Sequence, residues 1–236
     1  MNGYVHEIYS SISGEGISQG IPTVFVRFAG CSLRCGKVGD RSLWCDTPYA
    51  LGPKLGENLS VEEILQKMGT FDPKDEFQIL LTGGEPLEGE NKTKSIEIAN
   101  LIYTRRQSLG KPYPAARVET NGKERLPELL SMAFTMDYKL PGSGMEQEMN
   151  SENFQILEKR HNSLDEIKFV LRDRIDFQRS LEIVSERKIN TNILYSPVHE
   201  ELDAKELIEW LKIDCPPNAR LSLQIHKYLW GNQKGV

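Results

Sequence analysis

The chain has 236 residues, of which 39% are hydrophobic and 27% are charged, and its formal net charge is −5. This balance is typical of a globular protein and excludes a largely disordered chain, and no apolar run approaches the roughly 20 residues of a membrane-spanning helix. A net-acidic chain without a long Lys or Arg run is also a poor candidate for binding nucleic acid. The first ten residues have neither a basic start nor an apolar core, so we expect no secretory signal and a cytoplasmic location.

The hydrophobic pattern predicts strands and helices that alternate along the chain. A strand rich in β-forming residues covers 21–29, and Ser60 with Glu63 forms a capping box at the start of the next helix. The later elements are predicted as strand 77–82, helix 94–107, strand 117–120, helix 124–131, strands 133–139 and 167–171, helix 174–187, strand 191–197, a helix opened by Asp203 and strand 221–225. About seven strands interleaved with helices imply an α/β fold with a mostly parallel sheet.

This alternation continues without a repeat or a linker, so we expect a single domain over residues 1–236 with the size of a barrel or partial barrel. In a parallel sheet, ligands bind at the carboxyl ends of the strands. Polar residues and glycines cluster at or just past the predicted strand ends, namely Cys31, Gly83, Gly84, Glu85, Glu119, Thr120, Asn121, Lys139, Ser196, Gln224 and His226. These residues, although far apart in the sequence, are therefore expected to face one mouth.

Three of the four cysteines, Cys31, Cys35 and Cys45, are close together, whereas Cys215 stands far away. Three clustered thiols cannot all pair with one another, so metal binding is the leading interpretation in a reducing compartment. Structural zinc takes four protein ligands, and no histidine lies within this cluster. An iron–sulfur cluster also usually takes four thiolates, so three would leave one iron open to another ligand. The residues alone therefore do not decide between a zinc site and an iron–sulfur cluster.

Two further features have both a functional and a structural interpretation. The turn Thr82-Gly83-Gly84-Glu85-Pro86 follows a strand, and its glycines permit a close approach of backbone and ligand, although a plain β-turn would look the same. Arg27 lies in an apolar strand, and a buried arginine requires an anionic partner. That partner is either the carboxylate of a ligand, held by two hydrogen bonds, or an internal salt bridge.

Together, the cysteines and this turn resemble the radical S-adenosylmethionine (SAM) superfamily, in which three cysteines hold a [4Fe-4S] cluster. The fold implied is a partial or modified (β/α) barrel. Nine residues separate Cys35 from Cys45, where two are usual, so residues 36–43 are interpreted as an insertion in a cluster-binding loop at 30–47. After the insertion, Trp44-Cys45-Asp46 restores the aromatic-Cys-Asp pattern of the third ligand.

The resemblance narrows to the 7-carboxy-7-deazaguanine synthases. Segments 7–16, 23–31, 136–145 and 224–236 are similar to blocks of that family and span nearly the whole chain. The sequence departs from the family pattern at Ser13, where Gln is usual, and at Asp137 and Tyr138, where many relatives carry Ser-Pro before the lysine.

This resemblance implies a lyase in the biosynthesis of queuosine and related 7-deazapurines. In the family, a reduced cluster cleaves SAM to methionine and a 5′-deoxyadenosyl radical, which abstracts hydrogen from 6-carboxy-5,6,7,8-tetrahydropterin. The ring contracts, ammonia leaves, 7-carboxy-7-deazaguanine forms and SAM is returned intact. The family also uses Mg²⁺ and flavodoxin-like reductants, and a homodimer is common. These cofactors and partners are expected here, with neither a nucleic acid nor a membrane as partner.

The resemblance also implies residue roles, and none of them is a side-chain acid or base because the radical comes from SAM. The metal ligands would be Cys31, Cys35 and Cys45 for the cluster and Thr47 for Mg²⁺. SAM would contact Trp44, Asp46, Gly84, Glu85, Glu119, Asp137, Tyr138 and Lys139. The pterin would contact Ile12, Ser13, Gly14, Glu15, Arg27, Thr82, Gln224, His226 and Val236, with Gln224 and His226 on one face of a strand.

Two other functions share part of these features. A radical SAM activase of a glycyl-radical enzyme would need the cysteines and the Gly-Gly-Glu-Pro turn, but it would not need Glu15, Arg27 or the C-terminal block. A zinc-stabilised binding module without catalysis would need only the cysteines and a fourth ligand.

Overall fold

The computed structural model describes residues 3–231, 233 and 235. Its strands are β1 (Val5–Ile12), β2 (Pro22–Phe28), β3 (Gln78–Gly83), β4 (Ala116–Thr120), β5 (Met132–Tyr138), β6 (Glu166–Leu171), β7 (Asn192–Pro197) and β8 (Ala219–Leu221). Its α-helices are α1 (Val61–Phe71), α2 (Glu90–Ser108), α3 (Glu152–Arg160), α4 (Arg174–Arg187), α5 (Ala204–Ile213) and α6 (Ile225–Trp230).

The strands form one eight-stranded sheet in sequence order from β1 to β8. β1 is antiparallel to β2, and each later pair of neighbours is parallel. Because parallel strands that advance in one direction are joined by right-handed crossovers, their helices collect on one face of the sheet. β1 and β8 are the two edges of the sheet, so the barrel is open. This architecture confirms the expected α/β fold with a partial (β/α) barrel and a mostly parallel sheet.

The core lies between the sheet and the helices. Val24, Val26 and Phe28 alternate along β2 and belong to the same buried core as Ile64 of α1 and Phe177 of α4. Because successive side chains of a strand point to opposite faces, the intervening residues of β2 to β6 point away from the helices. This leaves one face of the sheet free to carry polar groups.

Capping residues define where several helices begin. The Ser60 hydroxyl accepts a hydrogen bond from the Glu63 amide, and the Glu63 carboxylate accepts one from the Ser60 amide, which confirms the capping box of α1. Asp173 and Asp203 are the N-caps of α4 and α5, where their carboxylates accept backbone N–H groups.

One predicted helix, 124–131, is wrong, because this segment has no regular secondary structure. Pro127 lies inside it, and a proline disfavours the helical conformation of the residue before it. The segment is held instead by Asn153 of α3. The side-chain amide of Asn153 donates to the carbonyls of Gly122 and Glu124 and accepts from the amide of the buried Leu126.

The two ends of the sheet also differ from the prediction. β1 was not predicted, because its sequence VHEIYSSI mixes polar and apolar residues without clear alternation. The strand predicted at 221–225 is wrong beyond Leu221, where β8 ends. Gln224 is the N-cap of α6 and His226 lies in that helix, so the two residues do not share a strand face. β8 has a neighbour on one side only, and the amide of Ile225 instead donates to the carbonyl of Gly14.

Among the described residues, no helix has the length and apolar character that would let it cross a membrane.

Candidate active site

The polar face of the sheet opens onto a cavity of about 600 Å³. Arg27 of β2, Thr82 of β3 and Glu119 of β4 point into it from alternate strand positions. The predicted site residues that line it are Ile12, Gly14, Glu15, Arg27, Cys31, Cys35, Cys45, Asp46, Thr47, Thr82, Gly84, Glu85, Glu119, Asp137, Lys139 and His226. The fold therefore brings together side chains from β2 to β5, the loop after β1, the cysteine loop and α6.

A second cavity of about 770 Å³ adjoins the first and shares Cys35, Cys45 and Lys139 with it. Trp44 and Gln224 line this second space. The guanidinium of Arg172, just past β6, lies 6.0 Å from the centre of the Trp44 ring. The two cavities meet at the cysteine loop, so a ligand that bound there could extend into both.

The three clustered cysteines are free and half-buried, and all three line the first cavity. Burial raises the pKa of the Cys31 thiol to about 12, and the nearby Glu85 carboxylate adds to this shift. Burial also raises the pKa values of Cys35 and Cys45. Thiolates at these positions therefore require a compensating positive charge, which a metal centre supplies.

The donor set fits a group that takes three thiolates. Asn121 already donates a hydrogen bond to the sulfur of Cys31, with 3.5 Å between Nδ2 and Sγ, and such bonds are typical around iron–sulfur ligands. Among the described residues, no three His, Cys, Asp or Glu side chains converge as the ligands of a single metal ion. The Thr47 hydroxyl lies 3.6 Å from the Cys45 sulfur.

The glycines of the Gly-Gly-Glu-Pro turn make room for protein backbone. A Cβ on Gly84 would lie 2.1 Å from the carbonyl oxygen of Gly30, and one on Gly83 would lie 2.5 Å from that of Phe28. Gly83 also has a φ of +110°, which favours glycine. The amide of Gly84 donates to the carbonyl of Phe28 at 2.8 Å. The turn is thus packed against the start of the cysteine loop.

Glu85 is buried beneath the cavity, and its carboxylate accepts three hydrogen bonds. These come from the Thr120 hydroxyl at 2.7 Å and from the amides of Asn121 and Leu87 at 2.7 Å and 2.9 Å. Burial raises the pKa of Glu85 to about 7 despite these donors. Its carboxylate therefore braces the turn after β3 against the end of β4.

Lys168 of β6 lies at the centre of the charged residues in the cavity. Its ammonium donates to one oxygen of Glu15, and Gln224 donates to the other at 2.7 Å. Gln224 also donates to Asp46 at 3.2 Å. Burial opposes ionisation of Glu15, but Lys168 and Gln224 together hold its pKa below the usual range. Glu15 is therefore an oriented carboxylate in the cavity.

The pKa values of two other carboxylates of the cavity, Glu119 and Asp46, are shifted in opposite directions. Burial and the negative charge of Glu15 raise the pKa of Glu119, which accepts a hydrogen bond from the Thr82 hydroxyl at 2.7 Å. Asp46 reaches water through the cavity, although protein atoms surround it. Burial opposes its ionisation, but Lys168 and Arg27 lower its pKa.

Asp137 and Lys139, two residues apart on β5 and just after it, form an ion pair in the cavity wall. The Lys139 ammonium lies 2.6 Å from Oδ2 of Asp137. The other oxygen of Asp137, Oδ1, is buried and has no hydrogen-bond partner among the described residues. Oδ1 of Asp137 is therefore a buried acceptor whose hydrogen-bonding capacity is unused.

Arg27 has the internal salt bridge that was one of the two alternatives suggested by its sequence context. Its Nε donates to Glu7 at 2.6 Å and its Nη2 donates to the Tyr9 hydroxyl at 2.9 Å. The guanidinium also lies 5.8 Å from the centre of the Tyr49 ring and lines the cavity. The internal salt bridge therefore exists, and it orients an arginine that still faces the ligand space.

The loop after β1 is shaped by its neighbours. Ser13 is buried, and its hydroxyl hydrogen-bonds to that of Ser18 at 2.8 Å, so it packs within the loop. A Cβ on Gly14 would lie 2.4 Å from Nδ1 of His226. Burial lowers the pKa of His226, which favours its neutral form at the cavity wall.

Two of the predicted ligand-contacting residues, Tyr138 and Val236, are not among the described residues that line the cavity. The Tyr138 side chain is buried on the helix side, where its ring packs 5.0 Å from that of Phe154, because strand alternation sends Asp137 and Lys139 to the cavity instead. A contact of Tyr138 with SAM would therefore come from its backbone, and this contact stays a prediction. Val236 lies outside the described residues.

Lys168 and Tyr9 line the cavity but were not predicted to do so, and Asn121 was expected at the mouth without an assigned role. Lys168 lies between Ile167 and Phe169 in an apolar strand, which is the same signal that identified Arg27. Asn121 follows the end of β4, where the sequence already predicted a cluster of polar groups. Tyr9 lies in β1, the strand that was missed.

No protein-family model matches the chain. A 7-carboxy-7-deazaguanine synthase from Leptospira interrogans is 56% identical over 232 residues, which cover 98% of this chain and 97% of that protein. The chain belongs to the 7-carboxy-7-deazaguanine synthase family. A 7-carboxy-7-deazaguanine synthase from Clostridium acetobutylicum is 35% identical over 244 residues, and the alignment covers 100% of both chains.

The crystal structure of QueE from Escherichia coli has a similar fold. The TM-score is 0.64 at 23% identity, and the alignment covers 94% of each chain. As a 7-carboxy-7-deazaguanine synthase, the protein is a radical SAM enzyme, a lyase of queuosine biosynthesis, and its family implies a [4Fe-4S] cluster and SAM. The three free thiols at the end of β2 are the residues in the structure that fit such a cluster.

Proposed function

We propose that this chain converts 6-carboxy-5,6,7,8-tetrahydropterin to 7-carboxy-7-deazaguanine with loss of ammonia. The observation that carries the proposal is the 56% identity with the synthase from Leptospira interrogans over 98% of the chain. The cavity supports it, because it combines three thiols with an arginine and oriented carboxylates. The glycyl-radical activase is not favoured, since that function gives no reason for Glu15 and Arg27 to share a cavity with the thiols.

Cys31, Cys35 and Cys45 would hold the [4Fe-4S] cluster and leave one iron for the amino and carboxylate groups of SAM. When bound, this pair supplies a 5′-deoxyadenosyl radical. The chain holds the cofactor in place with residues that surround the cysteines in both cavities, namely Trp44, Asp46, Gly84, Glu85, Glu119, Asp137 and Lys139. Glu119, which lines the cavity and accepts a hydrogen bond from Thr82, offers an acceptor to ribose hydroxyls or amino groups.

The pterin would bind above the sheet, between the loop after β1 and Arg27. Glu15 suits the edge of an aminopyrimidine ring, because a carboxylate accepts paired N–H donors and Lys168 and Gln224 fix its orientation. Arg27 offers its guanidinium to the pterin carboxylate. The remaining substrate residues of the proposal are Ile12, Ser13, Gly14, Thr82, Gln224, His226 and Val236, with Ser13 supplying backbone groups because its side chain is buried.

Several finer parts of the proposal come from the family resemblance. Thr47 would contribute its hydroxyl to Mg²⁺, which prefers oxygen ligands and often bridges to substrate. A flavodoxin-like protein would supply electrons, the chain would act as a homodimer in the cytoplasm, and residues 1–236 would form one domain. Metal analysis, reductase coupling, solution mass and limited proteolysis measure the magnesium, the reductant, the dimer and the single domain, respectively.

The decisive experiment uses protein that is purified and reconstituted without air. Wild-type protein with SAM, reductant, Mg²⁺ and the carboxypterin should form 7-carboxy-7-deazaguanine, detected by mass spectrometry, and should contain about four irons per chain. Protein that contains the cluster and cleaves SAM, but makes no deazapurine from the pterin, would refute the proposal. In that case the glycyl-radical activase would become the next function to test.

A further inference from the structure

Glu166, the first residue of β6, is a buried carboxylate that the proposed chemistry does not use. Its side chain is 1% exposed, and Oε2 lies 2.6 Å from Nη1 of Arg117 on β4. The same oxygen accepts a hydrogen bond from the Thr135 hydroxyl of β5 at 2.9 Å. Arg117 is itself held by the carbonyl of Leu164, to which its Nη2 donates at 2.9 Å. Three neighbouring strands therefore fix the position of this carboxylate.

The other oxygen of Glu166 reaches the loop after β1. The amide of Ile17 donates to Oε1 at 2.6 Å across 149 positions of sequence. A Cβ on Gly16 would lie 2.7 Å from Oε2, and Gly16 has a φ of +69°. Glycine is required here because the loop backbone approaches the carboxylate closely in a left-handed conformation. The backbone conformation of the loop therefore depends on the position of the Glu166 carboxylate.

β6 also holds the side chain of Glu15, the residue of the loop after β1 that is proposed to bind the pterin. Lys168 follows Glu166 by two positions, so both side chains point to the cavity face. Glu166 holds the backbone of Gly16 and Ile17, while Lys168 holds the carboxylate of Glu15. Gly16 is further tied to Ser222, whose hydroxyl accepts its amide at 3.3 Å.

We propose that Glu166 is a positioning residue that fixes the backbone of residues 13–17 and so presents Glu15 to the pterin in one orientation. This inference rests on the proposed function, because the pterin is the ligand that Glu15 would meet. A loop held in its binding conformation before the ligand arrives has less conformational entropy to lose on binding. Loss of the Glu166 contact should therefore weaken pterin binding without changing the iron content or the affinity for SAM.

The test approaches the contact from both sides. Glu166→Gln keeps the shape of the side chain but removes the charge that Arg117 and the Ile17 amide share, and Gly16→Ala pushes the loop away from an intact Glu166. Both variants should show faster hydrogen exchange over residues 13–18 and a KM for the carboxypterin raised about tenfold, which corresponds to about 1.4 kcal/mol. Iron content, SAM affinity and kcat at saturating pterin should stay within twofold of wild type.

Asp165→Asn is the matched control. Asp165 is equally buried and pairs with Arg160, with Nε and Oδ2 2.7 Å apart, but it accepts the amide of Phe134 and does not contact the loop. It should lower Tm while leaving the pterin KM unchanged. If Gly16→Ala folds and the KM does not rise, or if Asp165→Asn raises the KM equally, the inference is overturned.

Two further outcomes separate this inference from the proposed function. Faster loop exchange in the Glu166 and Gly16 variants with an unchanged pterin KM overturns the inference, even though the wild type makes product. A wild type that makes no deazapurine refutes the proposed function instead. In that case, hydrogen exchange in the ligand-free protein still decides whether Glu166 fixes the loop, because that measurement needs no turnover.

Discussion

The ammonium of Lys168 on β6 donates a hydrogen bond to the carboxylate of Glu15, a residue 153 positions earlier in the chain. Both side chains are 14% exposed, so the pair lies inside the cavity and is partly shielded from water. Gln224 binds the other oxygen of Glu15. Since each carboxylate oxygen has two lone pairs, this arrangement orients Glu15 and leaves acceptor positions for a ligand.

Replacing Lys168 with Met should weaken pterin binding and leave the cluster in place. Hydrogen bonds to charged groups contribute about 1.5–3 kcal/mol, and the loss of this one would free Glu15 and raise its pKa. We expect a pterin Kd raised roughly 10- to 150-fold, measured by anaerobic titration calorimetry. Lys212→Met is the control, because Lys212 pairs with Glu209 on the exposed face of α5. Equal Kd values in wild type and Lys168→Met would contradict the role of this pair.

The sequence identifies part of this cavity and misses the rest for a physical reason. Arg27 is evident as a charge in an apolar strand, and Lys168 carries the same signal between Ile167 and Phe169. Its pairing with Glu15, however, depends on how the loop after β1 folds over β6, and local patterns do not encode such a contact. The hydrogen bond of Gln224 to Glu15 is likewise not encoded locally, because it depends on the start of α6 lying next to the loop after β1.

The fold was predictable wherever local periodicity decides the element. Helix α4 spans Arg174–Arg187, which are the bounds predicted from the sequence. The errors lie where tertiary contacts decide. Residues 124–131 contain apolar residues at helical spacing, but Pro127 and the hydrogen bonds of Asn153 hold them in an irregular path, and β8 stops early at an edge of the sheet.

The cysteines allow a direct comparison within the chain. Cys45→Ala should abolish the brown colour of anaerobically purified protein and most of its iron, because two thiolates are too few to hold a cluster that leaves one iron open. Cys215→Ala should retain both, since Cys215 is exposed and does not line the cavity. Iron analysis and visible absorption measure the difference. Retention of full iron by Cys45→Ala would show that Cys45 is not a ligand.

Replacement by alanine should lower the stability of the protein at Gly84 and raise it at Gly69. A Cβ on Gly84 would lie 2.1 Å from the Gly30 carbonyl, so overpacking should cost about 1–3 kcal/mol of stability and shift the start of the cysteine loop. Gly69 lies in α1, where an added Cβ would meet no described atom within 4 Å, and Gly69→Ala should stabilise by about 0.5–1 kcal/mol. Urea denaturation measures both, and a neutral Gly84→Ala would contradict the packing argument.

Arg106 of α2 should be important for stability but not for catalysis. Its guanidinium is 1% exposed and lies 2.5 Å from Asp75 and 3.3 Å from Asp72. Arg106→Met leaves the buried carboxylate of Asp72 uncompensated, which should cost about 3–5 kcal/mol. The surface pair of Arg125 with Glu128 is the control, and Arg125→Met should cost less than about 1 kcal/mol. A kcat that fell in folded Arg106→Met would place this residue in the catalytic machinery after all.

The insertion between the second and third cysteines should be removable without loss of the cluster. Its ends already meet, because the Trp44 amide donates to the Cys35 carbonyl at 3.2 Å and a Cβ on Gly36 would lie 2.8 Å from the Trp44 nitrogen. Deleting residues 37–43 would join Gly36 to Trp44 and restore the two-residue spacing. The deletion would also remove the packing of Val38 against Gly144 in the opposite loop.

We therefore expect the deletion variant to retain its iron, its visible spectrum and SAM cleavage, with a modest fall in Tm from the lost Val38 packing. Val38→Ala is the control, because it removes that packing while keeping the loop. If the deletion loses iron while Val38→Ala does not, residues 37–43 support the cysteines directly, and the loop is part of the cluster site. If both variants keep the iron, Cys35 and Cys45 are positioned by the contacts at the base of the loop.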